Sequence, residues 1–219
     1  MSSSYVVVPV FNGASTISNF LDKLDNEWLD RLIFVDDGSS DDTGEILKQL
    51  NYTTLTHEQN RGKGAAIQTA LHFIKEKGGG QATIIDIDLQ HPPEQLNDFN
   101  DVSEETILLG YRNNRKNMPI LRQFSNFVTS LLVSVRSGAA IKDSQCGYRS
   151  FNTKLFDQIK CVESGFQFES EMLIKASIKG WKVVHITIPT IYGDQGSAMK
   201  NIKDTVKFVS LWFKSFIWT

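Results

Sequence analysis

The chain has 219 residues, 41% of them hydrophobic, and a formal net charge of −2. That length fits one large domain or one domain with an appendage. The near-neutral charge excludes a strongly basic nucleic-acid binder, and the absence of a run of about 20 apolar residues excludes a membrane span.

The first residues carry no positive charge, and the apolar run over 5–10 is too short for a signal peptide. Cys146 and Cys161 match neither a metal-ligand spacing nor a disulfide framework. A reducing, cytoplasmic setting is therefore expected.

Residues 5–10 read as a first strand, after which Ile17, Phe20, Leu21 and Leu24 fall at helical spacing. A second strand covers 32–35. Asp41 and Asp42 then offer N-caps for a helix through Ile46, Leu47 and Leu50. A third strand is expected over 53–57. Gly62-Lys63-Gly64 opens a helix with Ala66, Ile67, Ala70, Leu71 and Ile74 on one face, stopped by Gly78-Gly79-Gly80. A fourth strand is expected over 82–86. Strand and helix alternate four times, which calls for an α/β fold with a mostly parallel sheet and helices on both faces. Ligands of such sheets bind at the carboxyl ends of strands, where the loops at 9–12, 36–40, 60–63 and 86–90 converge.

The second half is less regular. A strand over 106–109 leads into a polar, basic loop over 111–119 with Arg112, Arg115 and Lys116. Helices are expected over 121–135 and 168–179, and a strand over 182–188. In the final segment, 201–219, Ile202, Val206, Val209, Phe213 and Phe216 form one helical stripe. Phe208, Leu211, Trp212, Ile217 and Trp218 widen it, with Lys203, Lys207 and Lys214 on the remainder. Such a helix suits a membrane interface. It equally suits packing on the core or on a second copy of the chain, as in a homodimer.

The acidic pair Asp86-Ile87-Asp88 carries the most chemistry. Two carboxylates one residue apart at the end of a buried strand are costly without a cation between them. Mg²⁺ is usually held by one or two carboxylates plus substrate phosphates, so a metal carrying a nucleoside diphosphate is the natural occupant. In an extended chain the two side chains point the same way. Asp36, in the second acidic cluster, is placed to accept from a ribose or base. Lys63 stands at a helix N-terminus, where free N–H groups and the dipole favour anions. The phosphate-loop spacing is absent, as is the Gly-x-Gly-x-x-Gly of a dinucleotide-binding dehydrogenase. His91 is a further metal-ligand candidate, unless Pro92-Pro93 merely fixes its loop. His57, His72 and His185 read as surface residues.

Together these segments resemble family 2 glycosyltransferases of the GT-A fold, and within them the dolichyl- or polyprenyl-phosphate sugar transferases. The matching residues are Val8-Pro9-Val10-Phe11-Asn12, Val35-Asp36-Asp37-Gly38-Ser39-Ser40, Asn60-Arg61-Gly62-Lys63-Gly64 and Asp86-Ile87-Asp88-Leu89-Gln90-His91-Pro92-Pro93. Further on come Gly110-Tyr111-Arg112, Asp143-Ser144-Gln145-Cys146-Gly147-Tyr148-Arg149 and Phe168-Glu169-Ser170-Glu171-Met172. The resemblance implies one GT-A domain over 1–200 with an amphipathic helix over 201–219. It implies that Pro9, Phe11, Asp36, Asp37 and Lys63 surround the nucleotide. Asp86 and Asp88 would hold Mg²⁺ or Mn²⁺ and the donor, with Gln90 beside them. Arg112 and Arg149 would meet phosphates of donor or acceptor, and Glu169 would stand on the acceptor side. Gly13 and Ala14 occupy the place where the family often has an acidic residue, and Ser197 and Lys200 only partly match its closing loop.

The expected reaction is inverting transfer of a sugar from a GDP- or UDP-linked donor to a polyprenyl phosphate. It would occur at the cytoplasmic face of a membrane. An ionised phosphate acceptor needs little help from a base, and Arg112, Arg122 and Arg149 offer forks that match phosphate. The rival enzyme reading is transfer to a glycan or glycolipid hydroxyl, with Glu169 or Glu171 as base. A catalytically silent sugar-nucleotide-binding subunit is the non-enzyme alternative.

Overall fold

A computed structural model describes residues 3–113, 120–189, 191 and 202–218. Arg115, Lys116, the Arg122 side chain and the 196–200 loop lie outside the described residues.

Seven strands form one sheet: β1 Ser4–Val10, β2 Leu32–Asp36, β3 Thr53–Thr56, β4 Gln81–Ile84, β5 Thr106–Arg112, β6 Arg149–Asn152 and β7 Lys182–Ile188. Their order is β3-β2-β1-β4-β6-β5-β7. β1 pairs in parallel with β2 and β4, and β2 with β3. Every residue of β2 and β4 is buried, which is why their sequences are near-continuous apolar or β-branched runs. From β1 the chain winds outward to β2 and β3, then returns to place β4 on the other side of β1. This reversal opens a crevice between the carboxyl ends of β1 and β4.

β6 is a strand that the sequence pattern does not indicate. It lies antiparallel between β4 and β5, with Phe151 opposite both Ala82 and Ile107. A buried polar ladder holds it: Ser150 Oγ lies 3.0 Å from Gln81 Nε2 and 2.8 Å from Thr83 Oγ1. The expected 111–119 loop is also corrected at its start. Tyr111 and Arg112 belong to β5, because parallel pairing with β7 runs on to Tyr111↔Thr187 and Arg112↔Ile188.

The helices are α1 Ile17–Leu21, α2 Asn26–Leu29, α3 Thr43–Leu50, α4 Lys63–Glu76, α5 Ile120–Ser137, α6 Leu155–Gln158, α7 Gln167–Ile178 and α8 Ile202–Ser215. A 3₁₀ turn spans Pro93–Phe99. Asp41 supplies the cap of α3, its Oδ1 accepting from Thr43 N at 3.1 Å, whereas Asp42 makes no side-chain cap bond. Gly62 precedes α4 with φ +96, where a Cβ would meet Ser164 O at 2.6 Å. Only glycine fits so close to the loop that covers this helix start.

Helix α8 packs on α5 and α7. Phe208 and Leu211 are buried, and Trp212 Nε1–H donates to Leu132 O at 2.9 Å. The expected stripe of Val206, Val209, Phe213 and Phe216 is left exposed. Among the described residues no helix is long and apolar enough to cross a membrane. Both cysteines are free and buried, and burial pushes the Cys146 thiol up to about 12.

Candidate active site

The acidic turn follows β4 directly. Residues 85 and 86 leave the strand and 87–88 form a turn, with Leu89 in a left-handed conformation at φ 60. The expected strand to residue 86 therefore stops at Ile84. A turn, not an extended chain, brings Asp86 and Asp88 to the same cavity wall. Gln90 lines that wall too, and its N–H donates to Asp88 Oδ1 at 3.0 Å.

Lys63, at the first position of α4, reaches back over this turn. Its Nζ pairs with Asp86 Oδ1 at 2.6 Å and with Glu169 Oε1, from α7, at 2.8 Å. Burial alone would pull the Lys63 ammonium down, but the Asp86 and Glu169 charges hold it above the usual lysine range. Burial alone would likewise raise Asp86, and the Lys63 charge keeps it below the usual carboxylate range. Glu169 Oε2 lies 3.7 Å from Arg149 Nη2.

Two cavities meet at this cluster. The first is lined by Pro9, Phe11, Asp37, Asn60, Asp86 and Asp88, the side expected to take the nucleotide. Phe11 is half exposed and offers a ring face beside Pro9, suited to a planar base. Asp37 lies in this wall, but protein donors use its carboxylate. Arg61 N–H reaches Oδ1 at 2.9 Å and Gly62 N–H reaches Oδ2 at 2.7 Å. His57 Nδ1 lies 2.6 Å from Oδ1, and its Nε2 lies 2.9 Å from Thr69 Oγ1. His57 is thus a buried bracket for the loop before Lys63, correcting its reading as a surface residue. Asp36 lines neither cavity: it is buried, and Oδ1 accepts from Ser39 N at 2.9 Å. That bond shapes the turn.

The second cavity is lined by Lys63, Asp88, Gln90, Arg112, Asn126, Ser144, Gln145, Glu169 and Phe208, among others. Arg112 lies in its wall, held as a fork by Asp143: Nε to Oδ2 is 2.7 Å and Nη2 to Oδ1 is 2.8 Å. Arg149 is placed differently from the expectation. It is fully buried, with Nη1 donating to Glu169 O at 3.2 Å and Nη2 to Cys146 O and Ser144 O. It supports the 144–147 loop from beneath and does not line either cavity. Glu171, the rival base, is also structural. Its Oε2 accepts from Val162 N and Glu163 N, and its Oε1 lies 2.7 Å from Lys175 Nζ.

Gly147 closes the cluster from the side. A Cβ there would fall 2.2 Å from Asp86 Oδ2 and 2.8 Å from Lys63 Nζ. His91 is buried beside the same carboxylate, its Nδ1 3.9 Å from Asp86 Oδ2 and its ring edge-on to Tyr148. Burial pushes it down to about 4, so it is neutral at pH 7. Asn126 and Phe208 carry no motif. Their only signal is position, a polar residue on an otherwise apolar helical stretch and an aromatic one on the terminal helix.

The donor set fits Mg²⁺ or Mn²⁺. Asp86 and Asp88 are hard oxygen ligands on one turn, suited to an ion completed by phosphate oxygens. Among the described residues no three His, Cys, Asp or Glu are grouped to hold a metal by themselves. Burial first, and then the neighbouring Asp86 charge, push Asp88 up to about 6. The folded chain thus holds this proton more tightly than the unfolded chain. Stability is lost as pH rises through about 6. At neutral pH, Asp88→Asn is expected to gain about 1–2 kcal/mol after allowance for solvent screening. Added Mg²⁺ should stabilise only the wild type. Urea unfolding with and without Mg²⁺ checks both statements.

A mostly parallel sheet with an acidic turn at its switch point has the crevice at which α/β proteins bind their ligands. The sequence matches the family described as glycosyl transferase family 2 over residues 5–118, and the chain belongs to that family. It is similar to the UDP-N-acetylglucosamine–dolichyl-phosphate N-acetylglucosaminyltransferase of Methanococcus voltae, with 29% identity over 89% of this chain and 88% of that protein. An uncharacterized protein of Methanocaldococcus jannaschii is 31% identical over 86% of this chain and 81% of its own length. Among solved structures, glucosyl-3-phosphoglycerate synthase from Mycobacterium tuberculosis, with Mn²⁺, UDP and glucosyl-3-phosphoglycerate, superposes with a TM-score of 0.72. That match covers 99% of this chain and 79% of that one at 17% identity. The GT-A architecture expected from the sequence is the architecture observed.

Proposed function

We propose that the protein transfers a sugar from a nucleoside-diphosphate sugar, UDP-linked by analogy with the relatives, to the phosphate of a polyprenyl-type lipid. The observation that carries the acceptor class is the state of the carboxylates on that side. Glu169 is paired with Lys63 and near Arg149, Glu171 is buried under Lys175, and Asp143 is held by Arg112. A hydroxyl acceptor needs a positioned base. A phosphate monoester, with a second pKa of roughly 6, arrives ionised. The Methanococcus voltae relative is named for a dolichyl-phosphate acceptor, which agrees.

In this reading Pro9 and Phe11 hold the base, and Lys63 meets the diphosphate. Arg112 draws the acceptor phosphate into the second cavity. Mg²⁺ or Mn²⁺ at Asp86 and Asp88 would take up charge on the departing diphosphate. The acceptor oxygen attacks the anomeric carbon opposite the leaving group, which inverts that centre.

Helix α5 supports a lipid acceptor. Its buried side carries Asn126, Thr129 and Ser130, while Phe124, Phe127, Leu131 and Val135 are 50–66% exposed. The helix turns these polar residues inward, beside Val133, and its large apolar residues outward. Beside it α8 exposes its own stripe, with Lys207 and Lys214 also exposed. Two such helices, whose inner sides supply Asn126 and Phe208 to the cavity, suit a peripheral enzyme resting on a bilayer.

The test is transfer of label from a panel of nucleotide sugars to polyprenyl phosphate in anionic vesicles, with Mg²⁺ or Mn²⁺. Wild type is expected to label the lipid, and Asp88→Asn to lose at least about 100-fold. Phe124→Asp with Phe127→Asp is expected to lose vesicle transfer but keep transfer to a short, water-soluble polyprenyl phosphate. Donor cleavage without lipid label would reject the phosphate acceptor in favour of a hydroxyl.

A further inference from the structure

Lys63 stands where the two cavities meet and lines both. Its ammonium lies 2.6 Å from Asp86 Oδ1 and 2.8 Å from Glu169 Oε1. The other Asp86 oxygen faces Gly147 and His91. A Cβ at Gly147 would fall 2.2 Å from Oδ2, and His91 Nδ1 lies 3.9 Å from it. A cation that takes Asp86 as a ligand therefore meets Lys63, which already holds Oδ1.

Resting on the metal-assisted reading above, we propose that Lys63 is an exchangeable counter-cation. It and the divalent ion compete for Asp86 Oδ1, and the donor's diphosphate settles the competition by giving Lys63 another anion. The geometry supplies each part of this exchange. Glu169 keeps one hold on the ammonium while Asp86 is released. Close contact of two cations on one carboxylate oxygen is costly in a partly desolvated site. The ion alone therefore binds against Lys63, and the ion with a diphosphate binds with it. Lys63 then couples metal and nucleotide binding beyond what direct contact between them provides.

The proposal separates Lys63 from a residue that only anchors phosphate. An anchor would leave the affinity for the ion alone unchanged or lower when removed. A competitor would raise it. Mn²⁺ titrations read by the EPR signal of free ion, with and without UDP or GDP, distinguish the two on the full chain. Lys63→Met is expected to bind Mn²⁺ alone about tenfold tighter than wild type, and the gain from added nucleotide to shrink about tenfold, a coupling within the usual allosteric range. Glu169→Gln, which leaves Lys63 wholly on Asp86, is expected to weaken Mn²⁺ alone about fivefold and enlarge the nucleotide gain.

Mn²⁺ binding by Lys63→Met no tighter than wild type would overturn the proposal while leaving the metal reading intact. No Mn²⁺ binding by wild type with either nucleotide would overturn both. Should Lys63→Met prove unfolded by circular dichroism, Glu169→Gln decides, and unchanged Mn²⁺ affinity there overturns the proposal.

Discussion

Replacing Gly147 with alanine is expected to cost at least about 100-fold in kcat/KM, the order of loss that a 1 Å misplacement at a reacting centre can produce. The added Cβ would lie 2.2 Å from Asp86 Oδ2 and 2.8 Å from Lys63 Nζ. The loop side has little slack. Gly147 belongs to a loop tied below by Arg149 and beside by Gly110 N–H, which donates to Tyr148 O at 2.8 Å. Asp86 is held by Lys63 and shares its turn with Asp88. The carboxylate therefore gives way, and both its ion pair and its ligand direction are lost. Overpacking of this kind costs about 1–3 kcal/mol, so the chain should still fold. Circular dichroism would show that, beside assays of Mn²⁺ binding and transfer. A variant with near-normal turnover would mean that the loop does not press on Asp86 during the reaction.

The legible parts of the fold are those whose physics is local. β1 and β2 lie inside the sheet with neighbours on both edges, so Val6, Val7, Val8 and Leu32, Ile33, Phe34 all turn into core. Their sequences announce it. β6 is central too, yet its buried Ser150 is satisfied by partners far along the chain, Thr83 and Gln81. No window of sequence shows those partners. The same distance hid the Asp37–His57 bracket, 20 residues apart.

The site follows a similar division. Asp86, Asp88, Gln90, Lys63 and Arg112 gather at one junction as the motifs imply. Asp36, Asp37 and Arg149 carry the same motifs but spend their polar atoms on the scaffold. A motif marks that a residue type is needed at a place, not whether it faces the ligand or holds the residue that does. Helix α5 misleads in another way. Its spacing announces an amphipathic helix, but spacing alone does not say which face is inside. Here the side that carries Asn126, Thr129 and Ser130 is.

Arg149 makes that distinction measurable. Its side chain has no exposure and donates to three backbone carbonyls, those of Ser144, Cys146 and Glu169. Arg149→Met would leave these buried carbonyls without their donor and the Glu169 carboxylate with Lys63 as its remaining cation. Breaking a buried charge pair by removing one partner costs about 3–5 kcal/mol. For a domain of this size that corresponds to a fall of about 10 °C in Tm. Arg149→Lys should recover little of it, because a single ammonium cannot span three carbonyls as a planar fork does. A residue whose work is to bind acceptor phosphate would behave otherwise. Its lysine variant would keep the wild-type Tm, raise the KM for acceptor and leave the KM for donor unchanged. Thermal unfolding of the two variants, read beside both KM values, separates a scaffold arginine from a phosphate clamp. The expected result is the scaffold pattern: a large fall in Tm in both variants, with turnover lost as the 144–147 loop loosens over Asp86.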